Sequence, residues 1–179
     1  MDPDAVDPLA GGLSLADSLV LVWQPLAALP DADRLADANR QAATLLTLLG
    51  NLDEPPPPLD DDPQLAAHLQ RLDQKLDLLL GLMGGWHNRE LKLPEPQPAR
   101  LGLRGVVWQA ALPAGPGRIS LYLHAALPSA LELPAMLLPL GDGHVLAEFH
   151  GLDAAATDAL ERYLFRRHRR AVAQAKRPA

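Results

Sequence analysis

Between residues 65 and 86 the side chains of Leu65, Leu69, Leu72, Leu76, Leu79, Met83 and Trp86 recur at steps of 4, 3, 4, 3, 4 and 3. A helix packed on a globular core follows a repeat near 3.6 residues. A strict repeat of 3.5 keeps an apolar stripe facing another helix along its whole length, and three heptads meet the minimum for such a signal. With Leu69, Leu76 and Met83 at a, the d positions are Leu65, Leu72, Leu79 and Trp86. The flanking e and g positions are charged at Asp73 and Lys75 but apolar at Leu80 and Leu82. The seam therefore widens toward its C-terminal half, which suits a bundle of three or four helices better than a two-stranded coil. In a parallel bundle His68 at g lies near Asp73 of a neighbour, a weak pH-sensitive pair. The competing arrangement folds this helix back on the 31–50 helix of its own chain, and Leu78, at a c position outside the seam, could face that way.

The surroundings of this helix are punctuated clearly. Asp31 is placed to cap a helix whose apolar face is Leu35, Ala38, Ala42, Leu45, Leu46 and Leu49, ending at Gly50-Asn51. Residues 53–63, DEPPPPLDDDP, carry four consecutive prolines, which make an extended, stiff spacer in preference to a ligand for an SH3-like partner. Asp60 to Asp62, followed by Pro63 in the first turn, complement the dipole of the next helix; three adjacent carboxylates point in different directions and make a poor metal site. Upstream, Leu15–Trp23 reads as a strand between Gly11-Gly12 and Pro25.

After Pro94–Pro98 the pattern becomes that of a sheet. Arg118–His124 alternates Ile119, Leu121 and Leu123 against polar neighbours, and 144–150 repeats this with Val145, Ala147 and Phe149 inward. Leu101–Gln109 and Leu131–Leu138 bring the strands of this half to four, with turns expected at Gly115–Gly117 and Gly141–Gly143, which suggests a small barrel or curled sheet. Asp153 is placed to cap a last helix, from Ala154 to about Lys176, with Ala156, Leu160, Tyr163, Leu164 and Phe165 as its apolar stripe. The class is α+β. Residues 1–60 form a strand and helix region with its proline-rich linker, 61–92 the heptad helix, and 93–179 a small antiparallel barrel with its C-terminal helix.

The net charge of −6 conceals a split. Residues 161–179 hold seven Arg and Lys against one Glu, a balance of +6, which leaves −12 for residues 1–160. Arg162, Arg166, Arg167, Arg169, Arg170, Lys176 and Arg177 read first as a solvated helix end favoured by its own dipole, and second as an attractor of a nucleotide, membrane or acidic protein. With no aromatic platform interleaved, nucleic acid is not expected as a partner. The absence of cysteine removes disulfides, thiolate nucleophiles and cysteine-ligated zinc. The opening MDPDAVDPLAGG is acidic where a signal peptide needs a basic start, and no apolar run approaches the roughly 18 residues of a membrane span, so a cytoplasmic protein without a span is expected. The six histidines include no zinc-ligand pair, and no Gly-x-Ser-x-Gly elbow, phosphate loop or dinucleotide fingerprint occurs, so neither a metal site nor an enzyme is expected.

LGLRGVVW, the following Pro-Gly turn, RISLYLH, HVLAEFHGL and ALERYLFRRHRR together resemble a PilZ domain over residues 98–172. The resemblance implies a six-stranded barrel closed by a helix, and a role in bacterial motility and virulence signalling through cyclic di-GMP. It is best to the atypical PilZ proteins that form tetramers through a long heptad helix, whose N-terminal layout is similar to LADSLVLVW, LADANRQAATLLTLL and LDQKLDLLLGLM here. It therefore implies a homotetramer of parallel helices and a protein partner in a signalling or pilus system. Nucleotide binding in the family uses Arg-x-x-x-Arg before the barrel and Asp/Asn-x-Ser-x-x-Gly at its first strands: paired guanidiniums clamp phosphate, and small polar residues bond the base. With Gly105 as the motif glycine, Gly102 occupies the serine position and Arg100 the Asp/Asn position, and residues 86–99 contain a single arginine, Arg89. Cyclic di-GMP binding by the usual motifs is thus not expected. Arg100, Arg104, Gly105 and Arg118 are the residues from which a non-standard nucleotide site would have to be built. A purely structural scaffold is the third reading.

Overall fold

The computed structural model describes residues 8–9, 12–52, 63–124, 127 and 129–175; within its helices, the side chains at 63, 66, 77, 80, 84–91 and 174–175 are outside the description. The proline spacer with its acidic run, and Lys176 and Arg177, lie outside the described residues. Six strands and three helices follow in the order β1 (Ser14–Pro25), α1 (Ala32–Leu52), α2 (Pro63–Leu91), β2 (Gln97–Gly102), β3 (Gly105–Gln109), β4 (Gly115–Tyr122), β5 (Leu131–Pro139), β6 (His144–Phe149) and α3 (Ala154–Ala175). The strands close into a barrel in the order β1-β2-β3-β6-β5-β4, every neighbouring pair antiparallel.

β1 makes closure possible because it is long enough to serve two neighbours in succession. Ser14 to Leu19 pair with β2, and Val20 to Pro25 pair with β4. Closure removes free sheet edges, so no strand is left with a row of unpaired backbone groups. Inward residues fill the barrel with aliphatic side chains: Leu101, Val106, Ile119, Leu121, Leu131, Leu133, Leu137 and Val145 are all essentially fully buried. At roughly 1.5–3 kcal/mol for each large apolar side chain removed from water, this core is the main source of the barrel's stability.

Several local expectations are corrected by tertiary packing. The segment 101–109 is two strands, because the chain reverses at Leu103-Arg104 and β2 pairs back on β3. Gly115–Gly117 opens β4 instead of forming a turn, since Gly117 pairs with both Pro25 and Ala135. A Cβ at Gly117 would lie 2.2 Å from Cζ2 of Trp23, so the glycine is needed for a ring lying flat against the strand. Phe149 is only half-buried, whereas Leu146, expected to point outward, is buried. Phe165 is 53% exposed and stands outside the α3 stripe.

The helix starts follow the sequence closely. Asp31 Oδ1 accepts the Arg34 amide at 3.0 Å and Asp153 Oδ1 accepts the Ala156 amide at 2.8 Å, each satisfying one of the orphan donors of a first turn. α3 buries Ala156, Ala159, Leu160, Tyr163 and Leu164, and α1 buries Ala42, Leu46 and Leu49. The two helices run parallel: Asn39 Nδ2 donates to the Gly151 carbonyl at 2.8 Å at one end, while Gly50 abuts the Arg166 guanidinium at the other. α2 passes straight through Gly84-Gly85 and ends at Leu91, where Lys92 takes the left-handed conformation (φ 46°) that terminates a helix.

Candidate functional site

Two sets of residues carry the sequence-level expectations: the stripe on α2 and the arginines of the barrel. Among the described side chains of α2, Leu65, Leu69, Leu72, Leu76, Leu79, Leu82 and Met83 are all exposed, from 39% at Leu69 to 63% at Leu82, and Leu78 is 64% exposed. The side chains of Leu80 and Trp86 lie outside the description. α1 packs on α3 and β5, and α3 on β1, but among the described residues no face of α2 is laid on any of them. The fold-back on the 31–50 helix is therefore not the arrangement in this chain. A monomer seldom leaves so long an apolar row in water.

The barrel arginines are dispersed. Arg100, on β2 and half-buried, has Nη2 3.5 Å from Ser14 Oγ. Arg104, in the turn after β2, donates to Glu148 Oε1 at 2.8 Å. Arg118 on β4 donates from Nη1 to Glu132 Oε2 at 2.9 Å and from Nη2 to Gln24 Oε1 at 2.6 Å, while its buried Nε has no acceptor among the described residues. Arg100 pairs across to Ala16 and Arg118 to Gln24, opposite ends of β1 and roughly 26 Å apart at the rise of a strand. The three guanidiniums do not converge on one phosphate. Gly105 stands where β3 and β6 approach so closely that a Cβ would lie 2.3 Å from the Ala147 carbonyl oxygen, so its absence of a side chain serves the barrel.

Other chemistry near these residues is sparse. Partial burial, and secondarily the Glu132 carboxylate, push the Tyr122 hydroxyl above its ordinary pKa. His144 Nδ1 lies 2.8 Å from Asp142 Oδ1 in the turn before β6. Among the described residues no group of three or more acidic, histidine or cysteine side chains could hold a metal ion, and no helix is long and apolar enough to cross a membrane.

Of the basic residues on α3, Arg167 donates to Asp17 Oδ2 at 2.9 Å and ties the helix to β1, Arg162 bridges Asp158, and Arg169 lies 5.8 Å over the Phe165 ring. Sequence reading missed the Arg167–Asp17 tie, which spans 150 residues and leaves no trace in local periodicity. It also missed an open groove of about 530 Å³ at the foot of α2, where Lys92, Leu93 and Pro94 meet Trp23, Trp108 and Leu112.

Comparison with known proteins agrees with this architecture. Residues 52–177 match the family model described as "Atypical PilZ domain, cyclic di-GMP receptor". The fold is similar to a pathogenic protein from Xanthomonas campestris, described as a tetrameric PilZ domain self-assembled via an unusual helical bundle. The two share 31% identity over 91% of this chain and 92% of that one, with a TM-score of 0.67. No curated protein matches the sequence.

Proposed function

The chain belongs to the atypical PilZ domain family, and from that premise we propose that it is a non-enzymatic bacterial signalling adaptor that self-assembles through α2 into a parallel homotetramer. The observation that carries this reading is the exposed row from Leu65 to Met83. In a parallel bundle these residues, with Leu80 and Trp86, cover one another, and the apolar flanks at Leu80 and Leu82 select a bundle wider than a dimer. The described similarity of the Xanthomonas protein, which assembles through a helical bundle, supports the same arrangement. Assembly presents several copies of one barrel surface to a protein partner in motility or virulence control in the cytoplasm, and a multisite target is then held far more firmly than by a single barrel.

A second reading, a cyclic di-GMP receptor using non-standard residues, is favoured by the family's description as a cyclic di-GMP receptor. The separation of Arg100 from Arg118 and the pairing of Arg104 with Glu148 weigh against it, because a phosphate clamp needs guanidiniums directed at one point. Native mass spectrometry with and without cyclic di-GMP tests both readings in one measurement. The adaptor reading expects four chains and no bound nucleotide. A monomer that gains nucleotide overturns it.

A further inference from the structure

The groove at the foot of α2 has a definite origin in the barrel wall. β1 pairs with β2 only as far as Leu19 opposite Gln97, and β2 pairs with β3 only from Ala99 opposite Trp108. Residues 21–23 of β1 and 110–112 after β3 continue past the start of β2. The groove of about 530 Å³ is lined by both segments, and Lys92, Leu93 and Pro94 complete its lining. That volume lies in the range of sites for compact organic ligands, roughly 300–1,000 Å³.

Its aromatic walls are fixed before any ligand arrives. Trp108 is 3% exposed and is held between Ala99 of β2 and Val145 of β6. The six-membered ring of the Trp23 indole is seated on Gly117 of β4, where a Cβ would lie 2.4 Å from Cη2. Immobilised indoles offer apolar contact area at little cost in rotamer freedom on binding, and they favour a ligand that is itself flat and rigid.

Charge in the groove is sparse. Among the described lining residues Lys92 is the single charged side chain and Gln97 the single side-chain amide, with no carboxylate and no arginine. Lys92 is exposed and holds the left-handed conformation (φ 46°), which glycine or asparagine adopts at lower conformational cost. Closing α2 therefore does not by itself call for a lysine at this position.

We propose that this groove is a small-molecule site for a flat aromatic monoanion, with its rings against Trp23 and Leu112 and its carboxylate, sulfonate or phosphate paired with Lys92. One cation suits one negative charge, whereas the two phosphates of a cyclic dinucleotide are left without partners. Gly102, at the other end of β2, stands roughly 17 Å along the strand from Gln97, so the groove is separate from the positions of the family's second nucleotide motif. The site goes beyond the adaptor reading and does not depend on assembly through α2.

In the full-length chain, Trp86→Phe leaves Trp23 and Trp108 as the only tryptophans, and both line the groove. Titration with anilinonaphthalene sulfonate, a flat aromatic monoanion, then gives energy transfer from these indoles that saturates at one dye per chain. In that background Lys92→Glu weakens binding roughly tenfold, since it replaces an attraction by a repulsion, and Lys92→Arg leaves it nearly unchanged. Ala111→Phe, at an exposed position of the lining, fills the groove and abolishes binding, with near-ultraviolet circular dichroism to check that the barrel stands. Leu76→Glu, in the row on α2, leaves binding as it was. Phenylnaphthylamine, which has the rings without the sulfonate, binds roughly tenfold more weakly. Equal binding of the neutral dye, indifference to Lys92→Glu, or indifference to Ala111→Phe in a folded barrel overturns the proposal. Loss of binding with Leu76→Glu would place the dye on α2, and displacement of the dye by cyclic di-GMP would make the groove a nucleotide site; each overturns it as well.

Discussion

Replacing Leu76 by Glu tests the assembly helix most directly. Leu76 is 56% exposed in the single chain, so covering it in a bundle removes about half of a leucine's surface from water, worth on the order of 1 kcal/mol. The larger effect is the carboxylate: burial at an a position, with only Lys75 at the flanking g position to relieve it, costs several kcal/mol per ion. A loss of about 4 kcal/mol per chain weakens each chain's association about a thousandfold, enough to dissolve a micromolar complex at the concentrations of a sizing column. The assay is mass in solution by multi-angle light scattering or sedimentation, with Gln74→Glu as the control, since Gln74 is exposed at an f position outside the seam. Leu76 packs on nothing in its own barrel, so the melting temperature of the dissociated variant should reflect an intact barrel. An unchanged mass for Leu76→Glu, or equal dissociation by Gln74→Glu, refutes the reasoning.

Three further outcomes follow from the packing of the barrel and its helices. Gly117→Val drives a side chain into Trp23 and toward the Gln24 carbonyl, and should destabilise by about 3 kcal/mol or more in chemical denaturation. Asn39→Ala removes the donor to the Gly151 carbonyl that joins α1 to the start of α3, and should cost about 1–3 kcal/mol by the same measure. Tyr122 holds its proton more firmly in the folded state than in the unfolded one, so its contribution is present below the ordinary tyrosine pKa and is lost as pH rises through it toward the folded value. Thermal melts of the native chain should therefore drop more steeply above about pH 10 than those of Tyr122→Phe.

What was legible beforehand divides along a physical line. The caps at Asp31 and Asp153, the stripe of α1 and that of α3 apart from Phe165 are properties of residues within a turn or two of one another, and each stands as expected. The helix through Gly84-Gly85 outlasts its glycines because two such residues cost only about 1 kcal/mol each against the propensity of the leucine-rich turns around them. The reversal at Leu103-Arg104 had no glycine or proline at its centre to announce it. The misreading of Gly115–Gly117 has the opposite origin. A glycine required by a neighbouring ring and a glycine required by a turn are identical letters, and only the position of Trp23 tells them apart.

The sequence by itself determined the repeat of α2, and with it the prediction of an apolar row that needs another chain, because a helical period is written in spacing alone. It also determined that the motifs of ordinary nucleotide binding are missing. Tertiary structure alone decided that β1 serves both β2 and β4, that Arg100 and Arg118 pair with opposite ends of it, that Arg167 reaches Asp17, and that Gly50 near the end of α1 lies against Arg166 of α3. Those relations join residues distant in the chain. They are set by which surfaces exclude water together, a property of the closed barrel and not of any one segment.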